Sequence, residues 1–135
     1  MAVISLSDVE LSAPTSLNTT YYTGEALTNG EFVYSNSGNS NKLEKALSTS
    51  SSTSNVIGVV MIDASSGLST AVATNNAVIK KASAFTKGTV YYLADVAGDI
   101  CLESDLGSGE YVTQIGYAKS DDELVILISK TGVQI

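Results

Sequence analysis

Histidine is missing from the 135 residues, cysteine and proline occur once each, and seven lysines or arginines stand against fourteen carboxylates. Each shortage removes a class of function. Without imidazole there is no Ser-His-Asp or Cys-His set, no histidine metal ligand and no group that titrates unperturbed near neutral pH. A lone Cys101 forbids an intrachain disulfide. Its setting, Asp99-Ile100-Cys101-Leu102-Glu103, reads as an inward strand position where the thiol packs as a small hydrophobe. A net charge of −7 and a pI near 4.3 oppose any role that depends on neutralising phosphates, so nucleic acid is not an expected partner. The strongest apolar run, Val56 to Ile62, is interrupted by Gly58 and falls far short of the roughly 20 residues that span a bilayer. Met1 to Asp8 carry no basic leader, so neither a secretory signal nor a membrane partner is expected.

The remaining reactive groups do not assemble into a site at sequence level. Lys80, Lys81 and Lys87 have serines nearby, but those serines lie in turns and no spacing singles out a Ser-Lys pair. Asp121-Asp122-Glu123 and Glu103 with Asp105 read as solvated turns; the former lacks the alternating ligands and glycine of a calcium loop. Gly107-Ser108-Gly109 has no helix after it, and Glu110 would repel an anion. The expectation is a protein without catalytic residues, cofactor or metal.

What the chain does have is one phrase written twice. Leu27-Thr28-Asn29-Gly30-Glu31-Phe32-Val33-Tyr34 runs on to Val56-Ile57-Gly58-Val59, and Phe85-Thr86-Lys87-Gly88-Thr89-Val90-Tyr91-Tyr92 runs on to Gln114-Ile115-Gly116-Tyr117. Gly30 and Gly88 are 58 residues apart, as are Tyr34 and Tyr92, and Gly58 and Gly116, which defines repeat copies over about 26–73 and 84–128. The shared positions are turn formers and strand packers, so these six are structural anchors. Each copy ends in a hairpin, turning at Ser65-Ser66-Gly67 in the first and at Asp121-Asp122 in the second.

From Tyr21 onward, strand signals recur every 8 to 12 residues, the rhythm of a small antiparallel sandwich or barrel-like domain. Expected strands cover 31–35, 42–46, 56–62, 69–73, 77–82, 89–94, 99–103, 111–118 and 123–129; Asn41 to Leu47 could instead make a short helix. Ser35–Asn41 and Ser48–Asn55 are low in complexity and read as exposed tips. Tyr21-Tyr22 and Tyr91-Tyr92 each place one ring inward and one outward, where an outward tyrosine suits an interface. Residues 1–22 lack a clean period and read as an extended N-terminal arm before a single β-domain over 23–135. The spaced Leu6, Val9, Leu11 and Leu17 must lie against something: a partner, a neighbouring subunit, or the chain's own barrel.

The double phrase, a turn glycine with Phe32-Val33-Tyr34 or Val90-Tyr91-Tyr92-Leu93, a variable loop, then Ile57-Gly58-Val59 or Ile115-Gly116-Tyr117-Ala118 and a hairpin, resembles the small β-domain decoration or cement proteins of tailed bacteriophage capsids. The resemblance covers residues 24 to 128. It implies an all-β domain of β-tulip or barrel-like sandwich form that assembles as a homotrimer, made in the host cytoplasm and placed on the outer surface of the virion. The partner it implies is the major capsid protein, stabilised by bridging of capsomers. An N-terminal arm would reach the capsid, which puts Val3, Leu6, Val9, Leu11 and Leu17 forward as contact residues. The alternative is a receptor- or glycan-binding module of a phage fibre or tail, which the Ser/Thr/Asn-rich tips would suit.

Overall fold

The computed structural model describes residues 3–13 and 17–135, and it is all-β with antiparallel sheets. The chain runs through β1 (Val3–Ile4), β2 (Glu10–Ala13), β3 (Leu17–Tyr22), β4 (Phe32–Asn36), β5 (Lys42–Lys45), β6 (Val56–Val60), β7 (Ser69–Ala73), β8 (Val78–Lys80), β9 (Val90–Leu93), β10 (Ile100–Leu102), β11 (Tyr111–Ala118) and β12 (Glu123–Gln134), with single 3-10 turns at Ser37–Asn39 and Glu103–Asp105. Each of the nine expected strands overlies one of these. Asn41 to Leu47 contributes a strand, because Leu43 must reach a buried position while Lys42 and Glu44 stay nearer water. β12 runs five residues past its expected end; Lys130 to Gln134 are exposed and carry no apolar alternation, but their backbone pairs with the start of β11.

One sheet has the order β3-β7-β6-β4-β5 and the other β1-β10-β9-β11-β12-β8-β2. Starting from β8, the second sheet repeats the path of the first, with β8, β12, β11, β9 and β10 in place of β3, β7, β6, β4 and β5. The register agrees residue by residue. Phe32 faces Val59 and Val33 faces Gly58, and 58 residues on Val90 faces Tyr117 and Tyr91 faces Gly116. The turn glycines behave alike too. Gly30 and Gly88 both have positive φ, and their N–H groups donate to Val60 and Ala118 carbonyls, each at 2.8 Å. Such a backbone suits glycine because a Cβ is disfavoured there.

The first sheet rolls until its edges meet, with a parallel bridge between Thr23 and Leu43 and Gly24 N–H donating to Leu43 C=O at 2.8 Å. Leu27, Val33, Leu43, Val60 and Val72 form a buried cluster, with Tyr21 and Ile57 packed against it. Their counterparts in the second copy, Phe85, Tyr91, Ile100, Ala118 and Leu124, are buried as well, but within a larger cluster that takes in residues from both sheets. By strand alternation, Phe32, Tyr34, Val59 and Ala73 point out of the rolled sheet, and they too belong to the larger cluster. Burying side chains of this size contributes roughly 1.5–3 kcal/mol each.

The described residues of the expected extended arm lie against the chain's own sheets. β1 pairs with β10, β2 with β8, and β3 with β7. Leu6 and Val9 lie in the main core, whereas Leu17 is 45% exposed; Val3 and Leu11 are half-buried. Of the expected arm, residues 1–2 and 14–16 lie outside the described residues. The lack of a clean period has a geometric cause. Residues 5–9 link strands at opposite edges of a seven-stranded sheet, so they cross strands instead of running along one. Flat, that sheet would be about 29 Å wide, while six residue steps reach at most about 20 Å, which requires the sheet to curl. Asn29 holds the crossing in place by accepting from Val9 N–H at 2.7 Å and donating to Val9 C=O and Met61 C=O, each at 2.9 Å.

Candidate functional site

The two copies differ most on the face that points away from the interior of each rolled sheet. In the first copy that face, Phe32, Tyr34, Val59 and Ala73, is closed off within the molecule. In the second, Val90 is 36% exposed and Tyr117 40%, Leu127 further along β12 is 36% exposed, and Tyr92 and Val125 are half-buried. An apolar sheet face on three neighbouring strands, β9, β11 and β12, is thus left open in one copy and covered in the other. Exposed aromatic and aliphatic groups grouped in this way mark contact surfaces.

The difference has a visible cause on the covered side. The turn between β9 and β10 presses against the first copy: Gly98 N–H donates to Ala46 C=O at 2.8 Å, Phe32 N–H to Gly98 C=O at 3.0 Å, and Ser48 N–H to Ala94 C=O at 3.1 Å. The positions equivalent to this seat in the second copy surround an open recess of about 420 Å³ lined by Thr89, Val90, Tyr92, Leu102, Glu103 and Ser104.

Beside the apolar cluster that the two sheets share, the seam between the copies has a polar part. Glu110 is buried; its carboxylate accepts from Ser48 Oγ at 2.6 Å and from Gly107 N–H. Thr113 Oγ1 donates to Ser54 C=O at 2.9 Å. Ser48 and Ser54, expected at an exposed tip, are both fully buried, because the serine-rich segment folds back through Thr53 Oγ1 onto Leu47 C=O and supplies the first copy's side of the seam. The middle of that segment, Ser51 and Ser52, is exposed.

A second concave surface, also about 420 Å³, is lined by Tyr21, Tyr22, Ser40, Asn41, Lys42 and Gly67. Tyr22 projects with 58% of its surface exposed, while Tyr21 packs inward, dividing the pair as the strand period requires. Ser40 and Asn41 both adopt left-handed backbone, with φ of 55° and 60°. Behind them Glu44 gathers the loop, accepting from Asn39 Nδ2 at 3.0 Å, Asn36 Nδ2 at 3.1 Å and the Tyr34 hydroxyl at 3.3 Å. The Asn39 amide, with Asn36 and Tyr34 adding to it against partial burial, holds the Glu44 carboxyl below its ordinary range. Burial, followed by the neighbouring Glu44 charge, pushes the Tyr34 hydroxyl up.

The reactive groups singled out in the sequence have structural surroundings. Cys101 is buried on β10, the strand next to β1, and burial, then Glu110, Asp105 and Asp95, push its thiol up to about 12, where it is a poor nucleophile. Asp121 Oδ1 accepts from Lys87 N–H at 2.9 Å and Asp122 Oδ1 from Ser83 N–H at 2.8 Å, so these acids tie turns. Lys81 Nζ donates to Ser7 C=O and lies 3.3 Å from Ser7 Oγ, on the exposed rim. Among the described residues, no group of three or more histidine, cysteine or acidic side chains is placed to hold a metal ion. Of the six repeat anchors, Gly30, Gly58, Gly116 and Tyr34 are buried, Tyr92 half-buried and Gly88 exposed. The open face and its recess were not among the expected site residues; their signal is a comparison of the copies at offset 58, where Phe32 and Val59 become Val90 and Tyr117.

No family model matches the chain, and a search of curated proteins finds no significant match.

Proposed function

We propose that the protein is a structural component of a bacteriophage virion that binds the outside of the assembled capsid and stabilises it by bridging capsomers. The observation that carries this reading is the open apolar face of β9, β11 and β12, whose counterpart in the first copy is covered. A protein that binds only the closed lattice shifts the assembly equilibrium toward it by mass action, and this needs contact area and no chemistry. The partner is the major capsid protein, met through Tyr117, Val125 and Leu127. The N-terminal segment contributes by closing the body, and among its described residues Leu17 and Tyr22 are exposed. Co-sedimentation with expanded, protein-free shells tests the reading: the wild type binds and raises shell melting temperature, and Tyr117→Asp with Leu127→Asp loses both effects while remaining folded. Absence of wild-type binding, or full binding by the double variant, would overturn it.

The groove beside Tyr22 favours a second reading, a receptor-binding module that takes a neutral glycan. A tyrosine ring offers a stacking surface for a sugar face, and Asn41, Ser40 and Lys42 offer polar groups around it. Titration with a panel of neutral di- and trisaccharides, followed by amide chemical shifts, separates the two: perturbation confined to the groove and lost in Tyr22→Ala supports the glycan, and an unperturbed groove rejects it.

A further inference from the structure

We propose that the protein associates with itself head to tail, the Asn36–Lys42 loop of one molecule seating in the Thr89/Val90/Leu102/Glu103 recess of the next. The contact is already present once inside each chain. There, the Ala94–Asp99 turn of the second copy sits on Glu31, Phe32, Ala46 and Ser48 of the first, bonded through Phe32, Ala46 and Ser48 backbone groups. Gly98 lies so close to Glu31 that a Cβ would stand 3.3 Å from the Glu31 Cβ.

Both halves of that contact exist a second time without being used. Through the strand registers, Glu31 corresponds to Thr89, Phe32 to Val90, Lys45 to Leu102 and Ala46 to Glu103. Those four line the open recess. The turn that fills the seat in the first copy corresponds to the Asn36–Asn41 loop, which joins β4 to β5 as Ala94–Asp99 joins β9 to β10. Gly98 near the end of one turn and Ser40-Asn41 near the end of the other share left-handed backbone. The loop is on the outside, where Ser40, Asn41 and Lys42 line the Tyr22 groove, and none of its residues is among those that line the recess.

Charge fits the same pairing. The loop ends in Lys42, and the carboxylate nearest to it in sequence, Glu44, is already engaged by Asn36, Asn39 and Tyr34. On the other side, Gly88 to Ala118 contain five carboxylates, Asp95, Asp99, Glu103, Asp105 and Glu110, and no basic residue. Of these, Glu103 is exposed at the recess. Such a contact is heterologous: every molecule offers one loop and one recess, so repeated use builds a closed ring or an open chain. The recess shares Val90 and Tyr92 with the open face, whereas the capsid contact proposed above runs through Tyr117, Val125 and Leu127.

Sedimentation velocity on the full chain, from about 1 to 500 µM at low salt, tests the proposal. The wild type forms concentration-dependent multimers. Lys42→Glu and Glu103→Lys each weaken association about tenfold or more, and the charge-swapped double variant restores it. Circular dichroism identical to wild type shows that each variant is folded. A wild type that stays monomeric throughout, association indifferent to both single changes, or a double variant no better than either single would overturn it.

Discussion

Gly116 lies against the carbonyl oxygen of Val125 so closely that a Cβ on it would stand 1.9 Å away, and Gly58 stands in the same relation to Ala73, at 2.3 Å. Both glycines sit where β6 or β11 passes through a register shift, and both carbonyls belong to the last strand of the copy. The conformational freedom of Gly88 has a different origin: its φ is +83° and nothing approaches its missing Cβ. Alanine should separate the two cases. Gly116→Ala and Gly58→Ala force backbone apart and cost about 3 kcal/mol or more, whereas Gly88→Ala costs only about 1–2 kcal/mol for left-handed backbone. Denaturant unfolding of the three variants checks the order.

Cys101 makes stability fall with alkali. Its thiol has an ordinary value of 9.0 and is pushed up to about 12 in the fold, chiefly by burial. Below pH 9 both states keep the proton and nothing changes. Between about 9 and 12 the unfolded chain loses it while the folded chain retains it, so the unfolded state binds fewer protons and stability declines as pH rises. Melting temperatures between pH 8 and 11 should therefore drop more steeply for the wild type than for Cys101→Ala. Equal slopes would show that the thiol does not contribute.

Glu110 joins the copies as a buried acceptor. Ser48 Oγ and Gly107 N–H both donate to it, and its backbone N–H and C=O are taken by Gly107 C=O and Ile135 N–H. Removing the carboxylate leaves Ser48 Oγ without a partner in a buried site and Gly107 N–H without one in a part-buried site. Glu110→Ala should cost about 2–4 kcal/mol, and Glu110→Gln less, because the amide oxygen still accepts one bond. Unfolding of the pair in urea would measure the difference; an alanine variant as stable as wild type would mean that water replaces the carboxylate.

Most of the sheet was legible because strand periodicity and turn glycines are local signals. Thr28-Asn29-Gly30 and Thr86-Lys87-Gly88 announce the strands that follow them, and Leu43 needs only alternation to be placed inward. The pairing partners are another matter. Nothing in Val3-Ile4 says that it will lie beside Cys101, nor in Glu10–Ala13 that it will lie beside Val78–Lys80, since both contacts bridge long stretches of chain and depend on the curl of the whole sheet. Ser48 and Ser54 misled for a related reason: serine is polar by composition, but its small hydroxyl finds a partner in little space, Ser48 on the Glu110 carboxylate and Ser54 on Ser51 C=O, so both can be buried. The open face of the second copy was hidden because Val90, Tyr117 and Leu127 have the composition of core residues, and only their position relative to the other copy shows that nothing covers them.

The N-terminal segment tests whether the body closes as described. If residues 1–13 were a free arm, removing them would leave the domain unchanged. In this fold they carry Leu6 and Val9 into the main core and occupy both edges of the seven-stranded sheet. Leu6→Ala alone should cost about 2–4 kcal/mol and Val9→Ala somewhat less, by lost transfer energy and the cavity left behind. Removing the whole segment should do more, and in a particular place. β1 pairs Val3 with Cys101, so its loss leaves the backbone edge of β10 unpaired and lets that strand, with the thiol it carries, open locally to solvent more often. A chain beginning at residue 14 should thus melt well below the full-length protein and react with a thiol reagent at native pH far faster than the full chain does. Unchanged melting and an equally inert thiol would mean that the segment is not packed on the body in solution.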